Sequence, residues 1–303
     1  RAREPGDRPP GHHGPAVLTP STPPGAGRDS FRARARSGRA LVVSFCSQRL
    51  RGRTIMRGQN HADRDLLRGR YKGLADDDLV AYVDESYRLP TDCRPHETPF
   101  YAMSAVLLRV CDLDTIRDDL RALARSDYWH TTELAQSETG WTRIQEMLDY
   151  LARYRDLCVI AVRRAPCDGD TQKNMRAICL RALMTALVQK GPVGPITWDP
   201  VSMVVLEKQR ESKDTNRDRY TVSQARKEGL VPRNMFVHYV SPASEQLLWL
   251  PDLVAHTYRR YITHRDRRVM VLANQTVTLD LTETTSDPLA AAAYHQGVSL
   301  QFH

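Results

Sequence analysis

Five short apolar runs, separated by segments whose apolar residues recur every three or four positions, set out the fold expected of this chain. Leu79–Asp84, Phe100–Val110, Leu157–Val162, Ser202–Glu207 and Phe236–Val240 are rich in Val, Leu, Ile and Tyr and predict strands. The connection between the first two contains Pro90, Pro95 and Pro99, as a polar loop would. Asp114 opens or caps a helix with Ile116, Leu120, Leu123 and Ala124 on one face. Tyr128–Leu134 reads as irregular, and Trp141–Tyr154 as a helix with the stripe Ile144, Met147, Leu148 and Leu151. Asn174–Lys190 is a strongly apolar helix that stops before Gly191-Pro192. Thr215–Glu228 is a charged helix, and Ser244–Tyr261 an apolar one whose start or kink lies near Pro251.

The order is β-β-α-loop-α-β-α-β-α-β-α, with no internal repeat. It predicts one α/β domain, a mixed sheet covered by helices on both faces.

Charge alters this picture at one end only. Residues 1–75 hold sixteen Lys and Arg against five Asp and Glu, which leaves 28 basic and 31 acidic residues for the rest of the chain. The net charge of +8 and the pI near 9.3 therefore describe a tail, and do not mark the folded part as a nucleic-acid binder. That tail, rich in Pro, Gly and Arg up to about Gly38, has little to bury and is expected to be disordered. The expected division is 1–75 as tail, 76–270 as the α/β domain and 271–303 as a C-terminal tail. The first methionine is Met56, so residues 1–55 are expected to be an over-long gene model or leader; the competing reading is a basic arm on nucleic acid.

Ala40–Cys46 after an Arg-rich stretch resembles a short signal-peptide core, but no Ala-x-Ala site follows it. No run approaches the ~20 apolar residues of a membrane span, so a cytoplasmic protein without membrane contact is expected. Six cysteines without a Cys-x-x-Cys pair argue against a zinc site or a disulfide framework.

The candidate chemistry lies in carboxylates. Asp84-Glu85-Ser86 closes the first strand, and adjacent carboxylates on a rigid strand can begin a site for a hard divalent cation, although the same tripeptide also makes an ordinary turn. Glu207 closes another strand, and ligands in open α/β sheets gather beyond strand carboxyl ends. Asp252 lies in an apolar run, where a carboxylate needs a partner or a metal unless it is a helix N-cap. His256 follows one turn later, and Glu133 sits behind His130-Thr131-Thr132, which also suits a helix start. Arg217, Arg219, Arg226, Lys227 and Arg233 could form a positive rim for a phosphodiester or a solvated charged helix. Tyr258–Tyr261 and His264–Arg268 form a second basic stretch that is equally open to either reading. The P-loop, dinucleotide and nucleophile-elbow glycine motifs are absent, which disfavours nucleotide-dependent enzymes and serine hydrolases.

Four features in order, Tyr82–Ser86, His130-x-x-Glu133, Leu206-Glu207 and Gln246–Ala255, resemble the bacterial domain-of-unknown-function family 3800, regarded as RNase H-like. The resemblance covers about residues 79–262, and its first and last motifs are the most specific. It implies a five-stranded mixed sheet flanked by helices, with acidic residues clustered on one side. It further implies Asp84, Glu133, Glu207 and Asp252 as catalytic carboxylates. Together with Glu85 these would hold Mg²⁺ or Mn²⁺, with Asp84 bridging two ions for phosphodiester hydrolysis. Pro251 stands where the family usually has a small residue, and Glu207 where it has Asp. The expected protein is a metal-dependent nuclease with a nucleic-acid partner; the alternatives are a catalytically inactive RNase H-like binding or scaffold module, or a nucleic-acid binder working through its tail.

Overall fold

Strand β1 (Leu79–Arg88) lies near the centre of a sheet whose two faces are both buried, which is why the strand sequences read as continuous apolar runs. The structure, a computed structural model, describes residues 61–94, 97–164, 170–189, 196–209 and 211–282, all within the unit Arg51–His303. β2 (Phe100–Arg109) and β3 (Leu157–Arg164) continue from β1 as antiparallel neighbours, with Asp84 opposite Ser104. β4 (Met203–Glu207) runs parallel to β1, and β5 (Phe236–Val240) parallel to β4. β6 (Thr276–Asp280) adds to the other edge, parallel to β3, giving the order β5-β4-β1-β2-β3-β6.

Alternation along the strands assigns side chains to two cores. Val80, Tyr82, Val106, Leu108, Met203 and Val205 face α2 (Leu113–Ala124), α4 (Glu138–Tyr154) and α7 (Trp249–His264). Ala81, Val83, Met103, Ala105, Val204 and Leu206 face α5 (Gln172–Val188), with Val222 and Ala225 of α6 (Ser212–Lys227) in the same core. A slip of one residue would exchange these faces, and each fully buried Val or Leu contributes roughly 1.5–3 kcal/mol. The register is therefore firmly specified, and with it the side of the sheet on which Asp84 emerges.

The α/β class and the mixed, two-sided sheet agree with the sequence reading, but there are six strands where five were expected. The domain also extends past both expected boundaries. Residues 61–71 form a helix, α1, whose Leu67 is buried, although this segment was assigned to a disordered tail. Its Tyr71 donates to Glu245 (3.1 Å), which leaves Tyr82 to donate to Tyr71 (2.9 Å), while Arg117 grips both Glu245 oxygens at 2.9 and 2.8 Å. β6 and residues 271–275 belong to the sheet and core instead of a C-terminal tail. The proposed leader and gene-model extension, residues 1–55, lie outside the described residues. Among the described residues no helix is long and apolar enough to cross a membrane.

Candidate metal centre

The parallel pairing of β1 with β4 ends at Val83↔Leu206, and the next residue on each strand is a carboxylate, Asp84 and Glu207. Both fall on the face of Tyr82 and Val205, the side crossed by α7. Glu207 ends its strand as expected. Asp84 does not, because β1 runs on to Arg88 against β2.

Helix α7 brings the third carboxylate. Pro251 sits in its first turn, where a missing N–H costs nothing, and the hydroxyl of Ser104 donates to the Pro251 carbonyl at 2.8 Å. Ser104 is opposite Asp84 in register, so this bond fixes the start of α7 directly beside Asp84. Asp252 follows. It is not the N-cap of α7, a position held by Leu248; it instead caps the short helix α3 (Thr131–Leu134). The Thr131 N–H and hydroxyl both donate to Asp252 Oδ2 at 2.8 Å, and Trp129 Nε1–H donates to the Thr131 hydroxyl at 2.8 Å.

Asp84, Glu207 and Asp252 line one cleft of about 840 Å³, together with His130, His256 and Arg259. Burial first, then the neighbouring carboxylates of Glu207, Glu85 and Asp252, pushes the Asp84 carboxyl well above its usual range. Burial also raises Glu207, opposed by a hydrogen bond from Asp84, and raises Asp252, opposed by the Thr131 donors and His130. Among the described residues no ion pair joins a Lys or Arg to any of the three. Buried, mutually repelling carboxylates require a proton or a cation. Their oxygen donors match a hard divalent ion such as Mg²⁺ or Mn²⁺. Even so, among the described residues no group of three or more His, Cys, Asp and Glu side chains is already set to hold a metal ion.

Two of the expected ligands are taken up by other partners, although Glu85 is also among the residues lining the cleft. Alternation turns Glu85 to the opposite face, where its carboxylate meets Arg176 (2.5 Å) and Gln209 (3.0 Å). Glu133 is exposed on α3 and accepts from the Tyr128 hydroxyl at 3.0 Å. Of the two readings of the basic residues after Glu207, the positive rim is not the one met. Arg217 pairs with Asp214 (2.5 Å), Arg219 bonds Asn216 (3.3 Å) and lies over the Tyr239 ring, and Arg226 donates to the Met235 carbonyl (2.6 Å). None of these, nor Lys227 or Arg233, lines the cleft; its basic residues are Arg88, Lys208 and Arg259.

The histidines complete the wall. His256 Nδ1 is 3.2 Å from the Thr132 hydroxyl, and burial, then Arg259, Arg260 and His130, holds its pKa down at about 4. His256 Nε2 and His130 Nδ1 are buried with no protein partner among the described residues. Sequence reasoning missed Ser104. Its signal was there: a single serine inside the otherwise apolar and aromatic run Phe100–Leu108.

No protein-family model matches this chain, and no curated protein matches it.

Proposed function

We propose that the cleft is the active site of a divalent-metal-dependent phosphodiester hydrolase acting on nucleic acid, on an RNase H-like domain of the kind found in domain-of-unknown-function family 3800. The observation that carries this reading is the meeting of Asp84, Glu207 and Asp252 in one cleft, with no Lys or Arg in ion-pair contact with any of them among the described residues. A mixed sheet with its carboxylates gathered on one face is what the resemblance implies, and a sixth strand at the far edge from β4 does not disturb it.

Asp84, Glu207 and Asp252 would hold Mg²⁺ or Mn²⁺, which when bound supplies activation of water and stabilisation of the leaving oxygen. The chain's own part is positional. Thr131 fixes one oxygen of Asp252, Ser104 fixes the turn that carries it, and the parallel strands fix the spacing of Asp84 and Glu207. Glu133 lies outside the cluster, held by the Tyr128 hydroxyl.

The test is cleavage of labelled RNA, DNA and hybrid duplexes by the full chain with Mg²⁺, Mn²⁺ or EDTA, beside Asp84→Asn. Metal-dependent cleavage that Asp84→Asn abolishes is expected, and absence of cleavage on all three substrates overturns the reading. The position of Glu133 favours one competitor, a catalytically inactive binding or scaffold module, which predicts nucleic-acid or protein binding unaffected by EDTA.

A further inference from the structure

Of the α7 residues that line the cleft, Asp252, His256 and Arg259 fall at i, i+4 and i+7 and so share one face of the helix. Seven residues of helix span about 10 Å, so this face carries a carboxylate at one end and a guanidinium at the other. The two arginines that follow one another here are used differently. Arg260 donates to Asp266 (3.1 Å) and stacks with Arg268 on the Trp141 ring, at 4.8 and 4.3 Å from its centroid. Arg259 has no carboxylate in ion-pair contact among the described residues, although it is half-buried and has Arg88 and Arg260 as electrostatic neighbours. Between the two ends, His256 is only 8 % exposed, and its Nε2 has no protein partner among the described residues. A buried, unpartnered ring nitrogen in the wall of a polar cleft is a hydrogen-bonding group left for a ligand.

We propose that Arg259 is the contact for a phosphate flanking the one at the carboxylates, so that a nucleic-acid strand lies along α7 with His256 facing the nucleotide between them. This rests on the hydrolase reading and adds to it: the substrate must offer at least two phosphates, and a mononucleotide would occupy only one end. The cleft's acidity makes the requirement sharper. Asp84, Glu207 and Asp252 repel a polyanion, and Arg259 supplies attraction at a distance from them. A guanidinium also suits this role because its fork can grip a phosphate with two parallel bonds.

The experiment measures binding of a labelled single-stranded RNA and the matching DNA to the full chain by fluorescence anisotropy, in Mn²⁺, over a range of NaCl concentrations. Asp84→Asn is the background, so that the strand stays intact. Losing one phosphate contact on a single strand lowers the slope of log K against log salt by about 0.7. The slope is expected to fall by that amount in Arg259→Gln and to be retained in Arg259→Lys, with the RNA and DNA arms identifying the strand. An unchanged slope in Arg259→Gln, an equal fall in Arg259→Lys, or no binding of either strand overturns the proposal. Cleavage by the unaltered protein is assayed in parallel. A lowered slope without cleavage removes the hydrolase reading and keeps the phosphate contact; cleavage with an unchanged slope does the reverse.

Discussion

Thr131 donates both its backbone N–H and its hydroxyl to the same oxygen of Asp252, each at 2.8 Å. One carboxylate thus closes the N-terminus of α3 and stands in the cleft with Asp84 and Glu207. Thr131→Val keeps the shape and the N–H bond and removes the hydroxyl, which also accepts from Trp129. Hydrogen bonds to charged groups contribute about 1.5–3 kcal/mol, so urea unfolding should show a loss of that order. If the carboxylates hold a metal, the same variant should weaken the stabilisation that Mn²⁺ gives in thermal melts. An unaltered Mn²⁺ response would detach Thr131 from the site and leave it a structural cap.

A second prediction concerns the approach of α4 to α3. A Cβ built on Gly140 would lie 1.9 Å from the Leu134 carbonyl oxygen, a backbone atom that cannot step aside alone. Ser137 caps the helix three residues earlier, its hydroxyl accepting from the Gly140 N–H at 3.1 Å, so the contact is held from both sides. Gly140→Ala should therefore destabilise by about 1–3 kcal/mol, despite the better helix propensity of alanine. A stability equal to or above that of the parent in urea titration would refute the close approach.

Asp156 gives a pH dependence well away from the cleft. Burial first, then Asp112, raises its carboxyl to about 6, and its Oδ2 is buried without a partner among the described residues. A carboxylate with a raised folded pKa imposes no penalty below its unfolded value of ~3.9. The penalty grows as pH rises from there and is complete above about 6. Asp156→Asn should thus stabilise the protein on the order of 2 kcal/mol at pH 7.5, and the gain should fade as pH drops toward 4. Melting temperatures of both proteins across pH 4–8 test this; a constant difference would show that charge is not the cause.

Much of this architecture is legible in the sequence, for definite reasons. The four inner strands β4, β1, β2 and β3 are buried on both faces, so their runs stand out unbroken, and the stripe Ile144, Met147, Leu148, Leu151 marks α4 by its period alone. Asp84, Glu207 and Asp252 could be named because each interrupts or ends an apolar segment. β6 was hidden because Thr276–Asp280 alternates Thr with Val and Leu at a sheet edge, where the apolar signal is half as dense. α1 was hidden by its charge, since it buries little more than Leu67 and Tyr71. Glu85 and Glu133 are drawn away from the other three carboxylates for different reasons. Strand alternation sends Glu85 to the face opposite its neighbour. Glu133 lies on a four-residue helix whose direction is set by Asp252, 119 residues further on, a contact that no local pattern contains.

Arg176 tests the opposite face of the sheet. Its guanidinium makes two parallel bonds to Asp218 at 2.8 Å, donates to the Tyr101 hydroxyl at 3.1 Å and meets Glu85 at 2.5 Å. One cation thus joins α5, α6, β1 and β2, and it holds the carboxylate that alternation has turned away from Asp84. Removing it leaves Asp218 buried without its cation and Glu85, half-buried, with only the Gln209 amide. Arg176→Met is therefore expected to destabilise by about 3–5 kcal/mol, whereas Arg176→Met with Asp218→Leu should recover part of the loss, because an apolar pair of similar volume can replace a buried ion pair at little penalty. The double-mutant cycle, measured by urea unfolding, separates the pair from its surroundings. Additive losses would mean that Arg176 and Asp218 act independently. A recovery confined to stability, with Mn²⁺ response and cleavage unchanged, would show that this network supports the sheet and leaves the carboxylates of the cleft to their own neighbours.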